Sequence, residues 1–272
     1  MRKLIFFDID GTLCMPGEQP TQVTVEAIRR ARERGHYTFL STGRSICGIP
    51  DAVRAIGFDG LITSAGAHAE VGDEVILDQP MAPELCRQVL RALEAEDAAY
   101  VLECAEGNYS DLDRVRNWPD YTPELESFFE TVKKTLRIQD VSEYHAEPCY
   151  KVCFFAPDCT RLQGLHAALD DRFTFTLFDN LFPGLDAVCG ELNRREVDKG
   201  LALAAICRKL GLTPEDAVAF GDSTNDLAML RAAGLGFAMA NGQEEVKRQA
   251  DRICPACAED GVARTLIELG LA

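Results

Sequence analysis

Short, unbroken apolar runs alternate with helix-spaced apolar residues through the first eighty positions, stop near residue 83 and resume near residue 198. Leu4-Ile5-Phe6-Phe7 is apolar throughout, the pattern of a strand buried on both faces. Val23, Ala27, Ile28 and Ala31 then recur at helical spacing until Gly35 ends the run. Residues 37–40 read as a second strand, 46–56 as a helix broken near Pro50, 60–63 as a third strand, and 67–77 as a hairpin turning at Gly72-Asp73. Strands alternating with helices in this rhythm predict an α/β fold built on a Rossmann-like, doubly wound parallel sheet. The ligand site of such a sheet lies beyond the carboxyl ends of its strands.

Between these two stretches the composition becomes α+β. Helices are expected over 84–95, 123–136 and 159–170, strands over 99–103 and 150–155, and two more strands within 173–188. The first rhythm returns with helix 198–210, strand 217–220, helix 224–233, a short strand near 236–239, and helices near 243–250 and 259–269. Residues 1–82 and 189–272 are thus expected to share one core, with residues 83–188 inserted as a domain of ordinary size.

Charge narrows the function. With 28 Lys+Arg against 44 Asp+Glu, the chain carries a formal charge of −16, whose field repels phosphate backbones and anionic lipid. Neither nucleic acid nor membrane is an expected partner, and no protein partner is implied. No run approaches the roughly 18 apolar residues of a membrane span, and the apolar opening runs at once into Asp8 and Asp10, so no anchor or secretory signal is expected. Eleven cysteines without framework spacing read as reduced thiols, which points to the cytoplasm.

Two acidic loops carry the chemistry. Asp8-Ile9-Asp10-Gly11-Thr12-Leu13 follows the first strand; strand alternation would put both carboxylates on one side, and Gly11 permits a tight turn beneath what they bind. Gly221-Asp222-Ser223-Thr224-Asn225-Asp226 follows strand 217–220 and should meet the first loop where the strand order reverses. Paired carboxylates of this kind suit Mg²⁺, which takes a few protein oxygens and completes its octahedron with water and substrate phosphate. Ser41-Thr42-Gly43-Arg44 ends the second strand with a hydroxyl, a glycine and a guanidinium, a natural phosphoryl-oxygen site. Lys199 opens a helix in Asp198-Lys199-Gly200.

The order DxDGTL, TGR, Lys-Gly, GDSxND resembles the haloacid dehalogenase superfamily, and within it the Cof-type sugar-phosphatase-like branch with the larger α/β cap. Residues 238–242 and 259–263 also look like its C-terminal signatures. The resemblance spans nearly the whole chain and implies a phosphoryl-transfer enzyme, because the superfamily's phosphatases and mutases have the second aspartate, here Asp10, that its dehalogenases lack. It implies that Asp8 is the nucleophile and Asp10 the acid and base. It further implies that Mg²⁺ is held by Asp8, the Asp10 main-chain carbonyl and Asp222, with Asp226 supporting, and that Thr42 and Lys199 hold phosphoryl oxygens. Gly43, Arg44 and Asn225 are expected at the substrate, Asn225 touching phosphate or Lys199. The implied activity is a Mg²⁺-dependent phosphatase acting on a small phosphorylated metabolite, plausibly a sugar phosphate. A phosphomutase and a non-catalytic phosphate-binding protein are the alternatives.

Three features stand outside that pattern. Ser64-Ala65-Gly66-Ala67 falls where relatives commonly read Asn-Gly-Ala, so a contact made there by an asparagine side chain is absent. Cys254-Pro255-Ala256-Cys257 is a CxxC with no second pair to complete a zinc site. In the insert, residues 117–121 around Trp118 and Lys151 are candidates to face the substrate, with packing or a solvated charge as the plainer reading.

Overall fold

Each residue of β1 (Leu4–Phe7) is fully buried, with Leu4 and Phe6 packing into one apolar cluster and Ile5 and Phe7 into another. The alternation comes from the strand's two-residue period, and the double burial, at roughly 1.5–3 kcal/mol for each large side chain, fixes β1 at the sheet's centre. The structure, a computed structural model, describes residues 2–118, 120–169, 172–178 and 187–272. After β1 come α1 (Gln22–Glu33), capped by Thr21, β2 (Tyr37–Ser41) and the short α2 (Asp51–Arg54), which follows Pro50. Next are β3 (Gly60–Thr63), β4 (His68–Val71) and β5 (Glu74–Asp78), with β4 and β5 forming the expected hairpin.

The chain then builds a second sheet from α3 (Pro83–Ala95), β6 (Ala99–Cys104), β7 (Asn108–Ser110), α4 (Pro123–Thr135), β8 (Ile138–Asp140), β9 (Cys149–Ala156), α5 (Cys159–Leu169), β10 (Phe173–Leu177) and β11 (Val188–Arg194). The strand order is β10-β11-β9-β6-β7-β8. Trp118 fills this unit's core, edge-on to Phe129, with its indole N–H donating to Asp97 O. Pro119, in the candidate segment 117–121, residue 170, at the end of the expected helix 159–170, and residues 179–186, within the stretch 173–188 expected to hold two strands, lie outside the described residues.

The first sheet resumes with α6 (Lys199–Lys209), β12 (Ala217–Gly221), α7 (Leu227–Ala232), β13 (Leu235–Met239), α8 (Glu244–Gln249), β14 (Arg252–Cys254) and α9 (Gly261–Glu268). Its order is β14-β13-β12-β1-β2-β3-β4-β5, parallel from β14 to β3 and antiparallel in the final hairpin. Because β1 pairs with β2 on one side and β12 on the other, the order reverses at β1, and the carboxyl ends of β1 and β12 stand side by side. By its contacts the chain divides into Met1–Gly43, Ile49–Gln79 and Val197–Ala272 as one unit, and Arg44–Gly48 with Pro80–Glu196 as the other. Strand β11 belongs with the second unit because it pairs with β9, so that division falls at 196/197 where the sequence reading drew 188/189. No helix among the described residues is long and apolar enough to cross a membrane.

Candidate functional site

Asp8 is the first residue beyond β1, and its N–H donates to Phe220 O at 3.1 Å. The turn behind it is tight: the amides of Thr12, Leu13 and Cys14 all reach Ile9 O, and Gly11 N–H donates to Cys14 O. Gly11 has φ +81°, and a Cβ there would overlap the Asp222 carboxylate. A side chain at position 11 would therefore be strained in its backbone and would push the two acidic loops apart.

Across from it, the 221–226 loop folds on itself. Asp226, fully buried, accepts through Oδ2 from the amides of Asp222 (3.0 Å) and Ser223 (3.1 Å), and Gly221 leaves the room its carboxyl needs. Asp226 Oδ1 accepts from Lys199 Nζ at 2.6 Å, and the same ammonium donates to Asp8 Oδ1 at 2.8 Å and Asn225 Oδ1 at 3.3 Å. Lys199 stands at the head of α6, where Asp198 caps the helix by accepting from Leu201 N–H. Gly200 lies where any Cβ would strike Ala228 O, so α6 approaches the 226 loop closely enough for the ammonium to enter.

The electrostatics follow from burial. Burial, reinforced by Asp226, Asp222 and Asp10 and opposed by Lys199, raises the Asp8 carboxyl well above its usual range. Burial and the neighbouring Asp226 push Asp222 up to about 7. Lys199 loses hydration, which disfavours its charge, yet Asp226 and Asp8 more than offset this and raise its proton affinity. One ammonium thus pairs with two buried carboxylates, Asp8 and Asp226, while Asp222 stands close by, and this concentration of acidic groups suits a cation.

The donor set fits one. Carboxylate oxygens of Asp8, Asp222 and Asp226 lie within 4.8 Å of one another, and Asp222 Oδ1 is buried without a hydrogen-bond partner. An all-oxygen set with one unsatisfied carboxylate oxygen suits Mg²⁺ rather than a soft metal. Thr42, buried one residue past β2, is held by its N–H on Ile62 O (2.8 Å) and by Ala65 N–H on its carbonyl. Gly43 is the last residue of its segment of the first unit, whereas Arg44 belongs to the second, where its guanidinium donates to Gly48 O.

The sequence pattern of the haloacid dehalogenase-like hydrolases matches residues 5–266. The chain belongs to that family. Within it, the chain is 30% identical over 273 residues to a phosphoglycolate phosphatase of Methanopyrus kandleri, covering 99% of this chain and 97% of the relative. It is 31% identical to an HMP-PP phosphatase of Klebsiella pneumoniae, covering 92% and 88%. Its fold is that of a solved haloacid dehalogenase subclass IIB sugar phosphatase, with TM-score 0.78, 23% identity, and 99% and 100% coverage. This haloacid dehalogenase-like hydrolase is a phosphoric monoester hydrolase.

Some of its site was not visible from residue types. Asn241 and Gln243 reach back to the Asp8–Cys14 and 221–226 loops. Ser64 and Ala65 adopt φ +50° and +56°, a conformation L-residues rarely take. Lys151 is no solvated charge: 2% exposed, it pairs with Glu191 Oε1 (2.5 Å) and Glu103 Oε1 (3.0 Å), and Glu103 also accepts from the Ser45 amide. Cys254 and Cys257 are buried, and burial pushes their thiols up to about 12 and about 11, which suits packing rather than redox chemistry.

Proposed function

We propose that the chain is a Mg²⁺-dependent phosphatase that hydrolyses a small phosphorylated metabolite, foremost a sugar phosphate, through an aspartyl phosphate on Asp8. The observation that carries this reading is a single buried ammonium, Lys199, shared by Asp8 and Asp226, beside a carboxylate oxygen of Asp222 that has no partner. Mg²⁺ would be held by the Asp8 carboxylate, the Asp10 main-chain carbonyl and Asp222. Asp226, whose two oxygens already bind Lys199 and the 222–223 amides, would support from its loop. When bound, the ion supplies charge neutralisation at the phosphoryl oxygens.

The chain's own residues supply the rest. A carboxylate oxygen of Asp8 attacks phosphorus and forms the new P–O bond as the bond to the leaving oxygen breaks. Asp10 gives that oxygen its proton, then accepts one from the water that attacks the aspartyl phosphate, releasing inorganic phosphate and restoring Asp8. The Lys199 ammonium and the Thr42 hydroxyl hold the phosphoryl oxygens, Gly43 lets the backbone approach them, and Asn225 orients Lys199. Such positioning and charge compensation make up most of phosphoryl-transfer catalysis. The second unit and Arg44 would discriminate among leaving groups. Eleven cysteines without framework spacing suit a reducing compartment, and we place the enzyme in the cytoplasm.

Purified protein assayed against a panel of phosphorylated metabolites tests the reading. The panel should span carboxylate, pyrimidine and sugar leaving groups, because curated relatives are named for phosphoglycolate, HMP-PP and a phosphoribitylamino-uracil. Phosphate release with Mg²⁺, lost in EDTA and restored by Mg²⁺ but poorly by Ca²⁺, is expected. Isomerisation without release would instead identify a mutase, and tight phosphate binding without turnover a binding protein.

A further inference from the structure

The turn that follows β13 connects separate loops of the first unit. Asn241 donates from Nδ2 to Gly11 O at 2.8 Å and accepts through Oδ1 from Cys257 N–H at 2.8 Å. Two residues on, Gln243 N–H donates to Asp222 O at 2.8 Å, and Gln243 Oε1 accepts from Thr224 N–H at 2.9 Å. Between them, Gly242 lies so close to Asp222 that a Cβ would meet the Asp222 carbonyl oxygen. One four-residue turn, 240–243, thus grips the backbone of the Asp8–Cys14 loop and of the 221–226 loop.

We infer that this turn is a brace that fixes the spacing of the two acidic loops, and that Asn241 is the positioning residue for the first of them. Gly11 sits at positive φ against the Asp222 carboxylate, a conformation with no side chain to hold it in place. Its carbonyl, the group next along the chain from the Asp10 carbonyl, is held by Asn241. Gln243 does for the second loop what Asn241 does for the first. Side chains that orient ligating groups without touching the ion set metal affinity, and their loss typically costs 10–100-fold. Asn241 touches no reacting atom, and in this respect the inference rests on the proposed cation site.

The two ends of Asn241 can be separated. Asn241→Ala removes both hydrogen bonds, whereas Asn241→Asp keeps an acceptor for Cys257 and loses the donor to Gly11 O. Hydrogen exchange on the metal-free protein is read first, as it depends on loop order and on no ion. Both variants should exchange the amides of residues 11–14 faster, while the Cys257 amide should lose protection only in Asn241→Ala. Mn²⁺ binding followed by electron paramagnetic resonance is read second, and Asn241→Ala should weaken it about 10–100-fold. Unchanged exchange at residues 11–14, or unchanged Mn²⁺ affinity in a protein that binds it, would overturn the brace. If the unsubstituted protein binds no Mn²⁺, the cation reading fails and the exchange result alone decides for or against the brace.

Discussion

Lys199 and Asp8 are 191 positions apart in the chain, yet the ammonium of one lies 2.8 Å from the carboxylate of the other, in a site where the lysine side chain has no exposed surface. The same nitrogen binds Asp226 at 2.6 Å. Removing it leaves two carboxylates buried without a counter-charge. Lys199→Ala should therefore lower stability by about 3–5 kcal/mol, the usual cost of breaking a buried pair from one side, as read by urea unfolding. Turnover should fall by at least about 10²-fold. Lys199→Arg should restore neither, because a planar fork cannot replace a point charge in a closed site.

Gly11→Ala tests the spacing of the acidic loops. The added methyl would occupy a left-handed position, costing about 1–2 kcal/mol, and would press on the Asp222 carboxylate. Turnover should drop about 10²-fold, with a raised Mg²⁺ requirement in a metal titration. Wild-type kinetics in this variant would show that the contact between Gly11 and Asp222 does not matter to the reaction.

The pH dependence has a definite sign. Burial and Asp226 raise Asp222 from an ordinary carboxylate value to about 7 in the folded chain, so between those values the native state binds more protons than the unfolded one. Without Mg²⁺, this group makes stability fall as pH rises from about 4 to about 7. Mg²⁺ should reverse the penalty by compensating the charge, so its rise in Tm should be larger near pH 8 than near pH 5.5. Differential scanning calorimetry with and without Mg²⁺ at both values measures it; equal shifts would contradict the account.

In the second unit, Lys151 is enclosed by Glu103 and Glu191. Lys151→Met should destabilise by about 3–5 kcal/mol, while Lys151→Met combined with Glu103→Gln and Glu191→Gln should recover most of the loss, since the penalty comes from unpaired charge. Thermal unfolding of the single and triple variants distinguishes this from simple loss of packing.

Much of this fold can be read from periodicity alone. Leu4–Phe7 and Ala217–Gly221 are apolar because both faces of a central parallel strand are buried, and acidic residues directly after them are readable as a site for the same reason. Short strands were not legible: β7, β8 and β14 span three residues each, too few for a two-residue period to stand out. Strand β11 starts at Val188, the last residue of the stretch 173–188 in which two strands are expected, and its partner β9 lies more than thirty residues earlier in the chain. Lys151 gave no sign of burial, since its two glutamates lie 48 residues before it and 40 after, and only the sheet unites them. Asn241 was legible as part of a signature but not as a brace, because a side chain's partners across 230 residues leave no local pattern.

In the proposed reaction Asp8 accepts the phosphoryl group, and acid-quenched peptide mass mapping during turnover of the best substrate found in the metabolite panel detects that step. A phosphoryl adduct is expected on the peptide containing Asp8, labile to hydroxylamine, present within one turnover and absent in Asp8→Asn. That variant should remain folded and lose at least about 10³-fold in kcat. An adduct on another residue, or an Asp8→Asn protein that turns over within tenfold of the parent, would contradict it.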